Sequence, residues 1–427
     1  MRIAMLSVHS SPLASLGSKE AGGMNVYVKE LSSELGRRGI PVDIFTRLQD
    51  SKLPSIQVLA PGVRVVNLRA GPLAPYNKNL TLRHLPEFTR NVTAFAASQQ
   101  LHYSLIHSHY WLSGEAALSL RQAWDVPIVN MFHTLGTMKN SVARSVEEAE
   151  TKLRVAIERR LMQEVEVVVA ATPLDRAQMV WHYGADASRI QIVPCGVDHE
   201  LFTPQAQPIA RKQLGLNADD RLIVCVGRME PLKGMDILIQ ALALLTQRLP
   251  ALHGKLKVLL IGGESETNSL NWNTEQRRLD DMRQQLGLQK QVSFLGTQPQ
   301  ERLSTYYAAA DLVAAPSFYE SFGLAALEAM ACGKPVIASN VGGLGWTIEA
   351  GRSGLLVPPG DSAALAAQIE LLLNDAQAQA ALGQAARQRA LNFSWRSVTC
   401  KVLKLYHSLL KERLCPCFDN WRLAQVC

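Results

Sequence analysis

The chain has 427 residues, of which 47% are hydrophobic and 19% are charged, so it can form large packed cores and is not a disordered protein. Its net charge of +7 comes without a dense lysine and arginine run, which argues against a nucleic-acid partner and suits anionic small substrates. No stretch approaches the length of about 18 apolar residues that a membrane span needs, so we expect no stable membrane insertion.

The N-terminus, MRIAMLSVHS, is typical of a first β-strand and not of a signal peptide, because its apolar run is very short. The cysteines are odd in number and dispersed, which favours reduced thiols and a cytoplasmic location. Cys415, Cys417 and Cys427 lie in the tail. Cys415 and Cys417 lie two residues apart and could bind a metal ion or oxidise, and a tail without a special role is the alternative.

Short apolar strands alternate with longer helical patterns in two series. The first series contains IAMLSV from Ile3, VDIFTR from Val42, LIHSHY from Leu105, IVNMFH from Ile128 and VVVAAT from Val167. The second contains LIVCVGR from Leu222, KVLLIGG from Lys257, VSFLG from Val292, LVAAPS from Leu312 and PVIAS from Pro335. This alternation predicts an α/β protein whose parallel sheets carry helices on both faces.

The two series are separated by VPCGVD from Val193 and the LFTPQAQP stretch that follows it. We therefore predict a first domain over residues 1–196, a linker over 197–205 and a second domain over 206–395. Residues 396–427 are predicted to form a helix, over about 397–414, that packs back on the first domain and is followed by a tail. In open α/β sheets, ligands bind beyond the carboxyl ends of the strands.

In the first domain, Gly22 and Gly23 precede the helical pattern MNVYVKELSSELGRRG. Two glycines at a helix start let the backbone approach a phosphate closely, although an ordinary helix start is the alternative. The pattern is neither a dinucleotide fingerprint nor a P-loop.

Further polar residues of the same domain are scattered in the sequence, and three of the next four follow strands. Lys78, Tyr110, Thr134 and Arg154 supply two cations and two hydroxyls, a set that would hold a phosphate monoester if the fold brought them together. His107, His109 and His133 also lie at strand ends, but no cysteine or carboxylate cluster completes a metal ligand set. We interpret His133 as a contact to a sugar hydroxyl or carbonyl, with a core histidine as the alternative.

In the second domain, Arg228 and Lys233 follow a strand within GRMEPLKG. Two cations at a strand end can neutralise a diphosphate leaving group, and solvated surface cations are the alternative.

The segment PSFYESFGLAALEAMACGK, residues 316–334, has the pattern of a strand, a glycine-containing turn and a helix start. Such a helix start offers free backbone N–H groups to an anion. Glu320 at the turn and Glu328 in the helix could face the same pocket, which suits a nucleotide sugar. A surface carboxylate beside an ordinary helix is the alternative.

The motifs AGGMNVYVKEL, HSHYWLSGE, FHTLGTMKN, VGRMEPLKG and PSFYESFGLAALEA, in this order, resemble those of the retaining glycosyltransferases of the GT-B fold. The resemblance covers nearly the whole chain, residues 2–395. It implies two Rossmann-like doubly wound domains facing across a cleft, with the acceptor in the first and the donor nucleotide in the second. It implies a UDP-sugar as substrate, no essential metal and no other cofactor.

The resemblance also implies roles for individual residues. Arg228 and Lys233 would hold the diphosphate, Glu328 the ribose hydroxyls, and Glu320 the donor sugar. The other implied donor contacts are the backbone of Phe322, Gly323 and Leu324, with Gly23 and His133 from the opposite domain; the implied acceptor contacts are Asn25, Lys78, Tyr110, Thr134 and Arg154. Retention in this family is explained by front-face attack without a protein nucleophile, so catalysis comes from charge stabilisation and orientation.

Two subgroups of the family compete. The GGxxVYVKEL pattern and the segment from Phe318 to Glu320 resemble sucrose-phosphate synthases, which join UDP-glucose and fructose 6-phosphate. HSHYWLSG, Met24 and the acceptor set resemble the enzymes that transfer N-acetylglucosamine to inositol 3-phosphate. We favour the sucrose-phosphate synthase interpretation because Tyr319 is bulkier than the Asn of the inositol enzymes, and we then expect a minimal synthase with no phosphatase-like domain after Trp395. A nucleotide-sugar-binding module without catalysis and a sugar-nucleotide epimerase are further alternatives, and the oligomeric state stays open.

Overall fold

The first part of the chain forms an eight-stranded sheet in a computed structural model, which describes residues 1–14, 22–74, 77–250 and 254–413. Its strands are β1 (Ile3–Leu6), β2 (Val42–Arg47), β3 (Ile56–Ala60), β4 (Val63–Leu68), β5 (Leu105–His109), β6 (Ile128–Met131), β7 (Val167–Ala170) and β8 (Ile190–Ile192). The strand order is β3-β4-β2-β1-β5-β6-β7-β8, and every neighbouring pair is parallel except β3 and β4. The tail cysteines Cys415, Cys417 and Cys427 lie outside the described residues.

Helices connect these strands and cover both faces of the sheet. They are α1 (Gly23–Arg37), α2 (Lys78–Thr81), α3 (Leu85–Ser98), α4 (Trp111–Trp124), α5 (Gly136–Asn140), α6 (Lys152–Glu164) and α7 (Pro173–Tyr183). Capping residues determine where these helices begin and end. The Thr172 hydroxyl, for example, accepts the N–H of Asp175 at the start of α7, and Gly184 ends this helix in the left-handed conformation.

The second part forms a six-stranded, all-parallel sheet. Its strands are β9 (Arg221–Val226), β10 (Leu256–Ser265), β11 (Val292–Gly296), β12 (Leu312–Ala315), β13 (Val336–Ser339) and β14 (Leu355–Val357), in the order β11-β10-β9-β12-β13-β14. Its helices are α8 (Gln207–Gln213), α9 (Met235–Arg248), α10 (Thr274–Gln285), α11 (Gln300–Ala309), α12 (Leu324–Ala331), α13 (Leu344–Thr347), α14 (Ser362–Asn374) and α15 (Ala376–Ala390). The predicted α/β fold with two parallel-sheet domains is confirmed.

The central strands are buried on both faces, as near-continuous apolar sequences require. In β1, Ile3 and Met5 pack into one hydrophobic cluster while Ala4 and Leu6 pack into another on the opposite face. Alternate residues of one strand therefore build two core layers, each of which is closed by helices.

The last described helix, α16 (Trp395–Arg413), returns to the first sheet. The Trp395 ring packs edge-on against Tyr27 of α1 at 5.5 Å, and the Tyr406 hydroxyl lies 2.6 Å from His107 Nδ1 in β5. Just before α16, the carbonyl of Phe393 accepts the N–H of Val197 at 2.8 Å, so the two segments that connect the domains run side by side.

Strand order reverses at one position in each sheet, between β1 and β5 in the first and between β9 and β12 in the second. The loops that leave the carboxyl ends of these strands diverge there and leave a crevice. The two crevices face each other, and the candidate site lies between them. Within the described ranges, no helix is long and apolar enough to cross a membrane.

Candidate active site

A cleft of about 360 Å³ lies between the carboxyl ends of the two sheets. Residues of both domains line it, and they include every predicted site residue except Arg154. The predicted residues that line it are Gly23, Asn25, Lys78, Tyr110, His133, Thr134, Arg228, Lys233, Glu320, Phe322, Gly323, Leu324 and Glu328. The fold thus brings together residues that are up to about 300 positions apart in the sequence.

The start of α12 forms one wall of the cleft. Its N-cap residue, Gly323, has a φ of +91°, a conformation that glycine adopts without strain, and no side chain caps the helix. The first backbone N–H groups of the helix are therefore left for a ligand, and the helix dipole makes this position favourable for an anion.

Gly342 and Gly343 support the loop that carries Glu320, and the sequence interpretation missed them. The Gly343 N–H donates to the Glu320 carbonyl at 2.8 Å. A Cβ atom on Gly342 would lie 1.8 Å from the same carbonyl oxygen, so only glycine fits there. The sequence signal was present as the pair of glycines that follows β13.

Each of the two predicted diphosphate cations has a carboxylate partner. The Lys233 ammonium pairs with Glu320, and the Arg228 guanidinium lies 2.8 Å from Glu230. Burial opposes ionisation of Glu230, but Arg228, Lys139 and Lys233 together lower its pKa. Glu230 was missed in the sequence although it lies inside the GRMEPLKG motif. The arrangement holds both cations in the cleft, on the domain that carries α12.

Glu328 is buried where α12 meets α11. Its carboxylate accepts hydrogen bonds from the Tyr307 hydroxyl at 3.0 Å and from the Gln300 amide at 3.4 Å. Burial nevertheless raises its pKa to about 7. This carboxyl group can therefore change its charge near neutral pH, and it reaches the cleft as an acceptor for hydroxyl groups.

On the opposite domain, three cations converge on one oxygen of Glu150. Glu150 Oε1 lies 3.0 Å from the Lys78 ammonium, 2.6 Å from that of Lys139 and 2.8 Å from the Arg154 guanidinium. Burial and the neighbouring Lys78 lower the pKa of Lys139 despite its contact with Glu150. Burial opposes ionisation of Lys78, but Tyr110 and Glu150 raise its pKa. With Glu158 paired to Arg154, the three cations face two carboxylates, which leaves one positive charge in excess. Lys139 and Glu150 were not predicted, although Lys139 lies within the quoted FHTLGTMKN motif.

Arg154 lies behind the cleft wall, fully buried, and is not among the lining residues. Its guanidinium donates to the Tyr110 hydroxyl at 2.8 Å, the Thr134 carbonyl at 2.8 Å and the Thr134 hydroxyl at 3.2 Å. It also pairs with Glu158 at 2.7 Å. In this structure Arg154 therefore orients two lining residues instead of lining the cleft itself.

Asn25 lines the cleft, but its amide is engaged within the protein. Its carbonyl oxygen accepts the Gly22 N–H at 2.9 Å, and its nitrogen donates to the Ser10 hydroxyl at 2.7 Å and the Ser11 carbonyl at 2.6 Å. These bonds join the loop after β1 to the start of α1. An acceptor contact through Asn25 stays a prediction.

His133 lies in the loop between β6 and α5, with an unusual φ of +61°. Its carbonyl accepts a hydrogen bond from the hydroxyl of Ser321 in the other domain, and its Nε2 lies 2.9 Å from His109 Nδ1. Burial lowers its pKa to about 3, so the ring is neutral. Among the described residues, no group of histidine, cysteine or carboxylate side chains could hold a metal ion.

Phe318 and Tyr319 belong to the segment on which the preference for sucrose-phosphate synthase rests, and they do not line the cleft. The Tyr319 side chain is buried, and its hydroxyl accepts the N–H of Leu135 in the other domain at 3.4 Å. The Phe318 ring packs under the Arg144 guanidinium at 4.7 Å. Both aromatic residues serve the interface between the domains, so they give no physical reason to prefer a glucose donor.

Comparison with known proteins defines the class. A family model described as Glycosyltransferase Family 4 matches residues 21–201, and one described as Glycosyl transferases group 1 matches residues 206–389. The chain belongs to the GT-B glycosyltransferases, as its motifs predicted, and it is therefore a glycosyltransferase.

Its relatives narrow this class further. The chain is 41% identical over 412 residues to the D-inositol 3-phosphate glycosyltransferase of Salinispora arenicola, covering 95% of this chain and 91% of the relative. It is 39% identical to the protein of the same name from Corynebacterium efficiens, covering 95% of each. Among solved structures, sucrose-phosphate synthase from Thermosynechococcus elongatus is 36% identical with a TM-score of 0.88, covering 96% of this chain and 99% of the other. These relatives are enzymes, which argues against the binding-module alternative.

Proposed function

We propose that this enzyme transfers N-acetylglucosamine from its UDP-sugar to the hydroxyl of a phosphorylated polyol, with inositol 3-phosphate as the first candidate acceptor. The observation that carries this proposal is the convergence of Lys78, Lys139 and Arg154 on a single oxygen of Glu150. The similarity to D-inositol 3-phosphate glycosyltransferases over 95% of the chain supports inositol 3-phosphate as the phosphorylated polyol.

The charge balance of this cluster favours a phosphorylated acceptor over a neutral one. Two of its three cations, Lys78 and Lys139, have Glu150 as their shared partner, while Arg154 is also neutralised by Glu158. A phosphate monoester carries nearly two negative charges at neutral pH and offers three strong acceptor oxygens. It would supply each lysine with a charge-assisted hydrogen bond, whereas a neutral hydroxyl would leave the excess positive charge unbalanced.

The opposite wall suits the nucleotide. Arg228, Lys233 and the start of α12 would stabilise the diphosphate as negative charge develops on it during bond cleavage, and Glu328 would accept the ribose hydroxyls. With the acceptor phosphate held by Lys78 and Lys139, the front-face attack that the family resemblance implies would bring the attacking hydroxyl to the same side of the sugar as the leaving diphosphate. A diphosphate oxygen can then take the hydroxyl proton, and the configuration at the anomeric carbon is retained. Binding in one orientation supplies much of the rate enhancement.

The test is a cross of donors and acceptors with product identification by mass spectrometry. UDP-N-acetylglucosamine and UDP-glucose are each incubated with inositol 3-phosphate, fructose 6-phosphate and their unphosphorylated forms. We expect N-acetylglucosaminyl-inositol phosphate as the main product. Transfer to the unphosphorylated acceptors at an equal rate would contradict the proposed role of the cation cluster.

Sucrose 6-phosphate synthesis from UDP-glucose and fructose 6-phosphate is the second candidate. The specific observation in its favour is the similarity to the Thermosynechococcus sucrose-phosphate synthase along nearly the full length of both chains. Both acceptors are phosphate monoesters, so the same cation cluster would serve either. Sucrose 6-phosphate as the main product of the cross would establish this candidate and exclude the first.

A further inference from the structure

A continuous row of four aromatic side chains leads from the cleft to α16, and all but His133 are buried. His107 and His109 are two residues apart in β5 and therefore point to the same side of the sheet, with ring centroids 4.3 Å apart. His109 Nδ1 lies 2.9 Å from His133 Nε2, and His107 Nδ1 lies 2.6 Å from the Tyr406 hydroxyl of α16. His133 lines the cleft, whereas His107 and His109 are buried beneath it.

In the contact between His109 Nδ1 and His133 Nε2, one nitrogen must donate a hydrogen bond and the other must accept it. Burial lowers the pKa of His109 well below its usual value and that of His133 to about 3, so both rings are neutral. A neutral imidazole carries one proton, on either Nδ1 or Nε2. Either His109 Nδ1–H donates to His133 Nε2, or His133 Nε2–H donates to His109 Nδ1.

The environment of His109 Nε2 decides between these two directions of the hydrogen bond. His109 Nε2 is buried and has no hydrogen-bond partner among the described residues. A proton on Nε2 would thus be a buried N–H group without an acceptor, which folded proteins avoid more strictly than an unused lone pair. The proton of His109 therefore belongs on Nδ1, where it donates to His133.

We propose that His109 is a positioning residue that holds His133 as its Nδ1–H tautomer. His133 then has its lone pair on Nε2, turned toward His109, and Nδ1–H is the group left for a ligand in the cleft. His133 consequently acts as a hydrogen-bond donor to a sugar hydroxyl or phosphate oxygen and not as a general base. The identity of that ligand rests on the proposed transferase function, but the tautomer does not.

The backbone supports the same assignment of roles. The φ of +61° at His133 and the bond from Ser321 to its carbonyl fix the position from which the ring projects. His109 then fixes the proton on the ring. A donor that is already oriented stabilises developing negative charge without rearrangement during the reaction.

Nitrogen NMR of the full-length protein tests the tautomer directly. Protonated and bare ring nitrogens resonate in well-separated ranges, so histidine-selective ¹⁵N labelling identifies the proton position, with His133→Gln and His182→Asn used for assignment. We expect His133 to be protonated on Nδ1 and bare on Nε2. The reverse pattern would overturn the proposal. Since no substrate is needed, this result is independent of whether the proposed acceptor is right.

Two near-isosteric variants separate positioning from simple packing. His109→Asn can still present an N–H near the Nδ1 position, whereas His109→Asp in its ionised form offers only acceptor oxygens. We expect His109→Asn to retain kcat within about threefold, and His109→Asp to lose about 100-fold in kcat and to show an added ionisation in its pH profile. Equal kcat values and identical pH profiles for the two variants would contradict the role of the donated proton.

The control for these variants is His182→Asn on the exposed face of α7. It should match the wild type in kcat, UDP affinity and thermal stability. UDP binding by His109→Asp, measured by calorimetry, shows whether the donor domain is intact. A thermal unfolding midpoint well below that of the wild type, together with loss of kcat, would assign His109 to folding and overturn the positioning role.

Discussion

The two walls of the cleft differ in how their charges are paired. The donor wall contains Arg228, Lys233 and the start of α12, and the acceptor wall contains Lys78 and Lys139. On the donor wall, each cation has its own carboxylate, since Lys233 pairs with Glu320 and Arg228 with Glu230, and a helix start adds backbone donors. On the acceptor wall, Lys78 and Lys139 share one oxygen of Glu150 with Arg154, which lies behind the wall and also pairs with Glu158. Paired cations suit a diphosphate that must bind and leave in each cycle, whereas shared cations favour an anion that supplies the missing negative charge. The comparison predicts different kinetic effects for the two sets of residues.

The largest effect is expected from Lys233→Ala on the donor wall. This substitution removes one of the two cations proposed to hold the leaving diphosphate and leaves Glu320 without its ion-pair partner, so both changes oppose the charge that develops during cleavage. We expect kcat to fall about 1,000-fold while the KM of the acceptor changes little. Steady-state kinetics checks this. Lys212→Ala, an exposed lysine of α8, is the control and should behave as the wild type; wild-type kcat in Lys233→Ala would refute the assignment.

Lys78→Ala on the acceptor wall should instead raise the KM of the phosphorylated acceptor about 100-fold. The lost interaction is a charge-assisted hydrogen bond of roughly 2–3 kcal/mol. The KM of the UDP-sugar should stay within about twofold, because Lys78 lies on the other domain. Kinetics with each substrate varied in turn separates the two constants. Equal increases in both KM values would show that the walls do not act independently.

Glu328→Gln should weaken UDP binding about tenfold and remove part of its pH dependence. The pKa of Glu328 is raised to about 7 by burial, so the carboxyl group loses its proton as the pH rises from 6 to 8. The ionised form accepts hydroxyl donors more strongly, so UDP affinity of the wild type should increase over this interval. Calorimetry at several pH values measures it, and the variant corrects for ionisation of UDP itself. Parallel pH profiles for both proteins would argue against a ribose contact through Glu328.

The smallest effect is expected from Tyr319→Phe. The hydroxyl of this residue makes a long bond of 3.4 Å to Leu135 and lies outside the cleft lining. We expect kcat and the preference between UDP-glucose and UDP-N-acetylglucosamine to change by no more than about twofold. Competition between the two donors measures the preference. A reversed preference would restore the sequence argument that linked Tyr319 to the donor sugar.

The same contrast explains what the sequence could predict. The donor wall is built from contiguous segments, such as the turn and helix from Glu320 to Glu328, so strand, turn and helix patterns indicated it directly. The acceptor wall combines Lys78, Lys139 and Glu150, which belong to different loops and helices. Nothing in local sequence shows that their side chains share one oxygen atom, because this depends on the order of the strands.

The error concerning Tyr319 has a related cause. Tyr319 directly precedes Glu320, and its size was the reason for preferring the sucrose-phosphate synthase interpretation. The backbone instead directs Tyr319 into the opposite domain while Glu320 turns toward Lys233. Neighbouring residues in an irregular loop need not face the same way, so sequence alone could not assign this aromatic residue.

The central claim is that the acceptor wall selects a phosphate monoester. Its most direct test is the ratio of kcat/KM for inositol 3-phosphate to kcat/KM for inositol, measured with UDP-N-acetylglucosamine in the wild type and in Lys78→Ala, with fructose 6-phosphate and fructose as a second pair. We predict a ratio of about 1,000 or more for the preferred pair in the wild type, reduced about 100-fold in the variant. A wild-type ratio near unity for both pairs, or a ratio that Lys78→Ala leaves unchanged, would contradict the account.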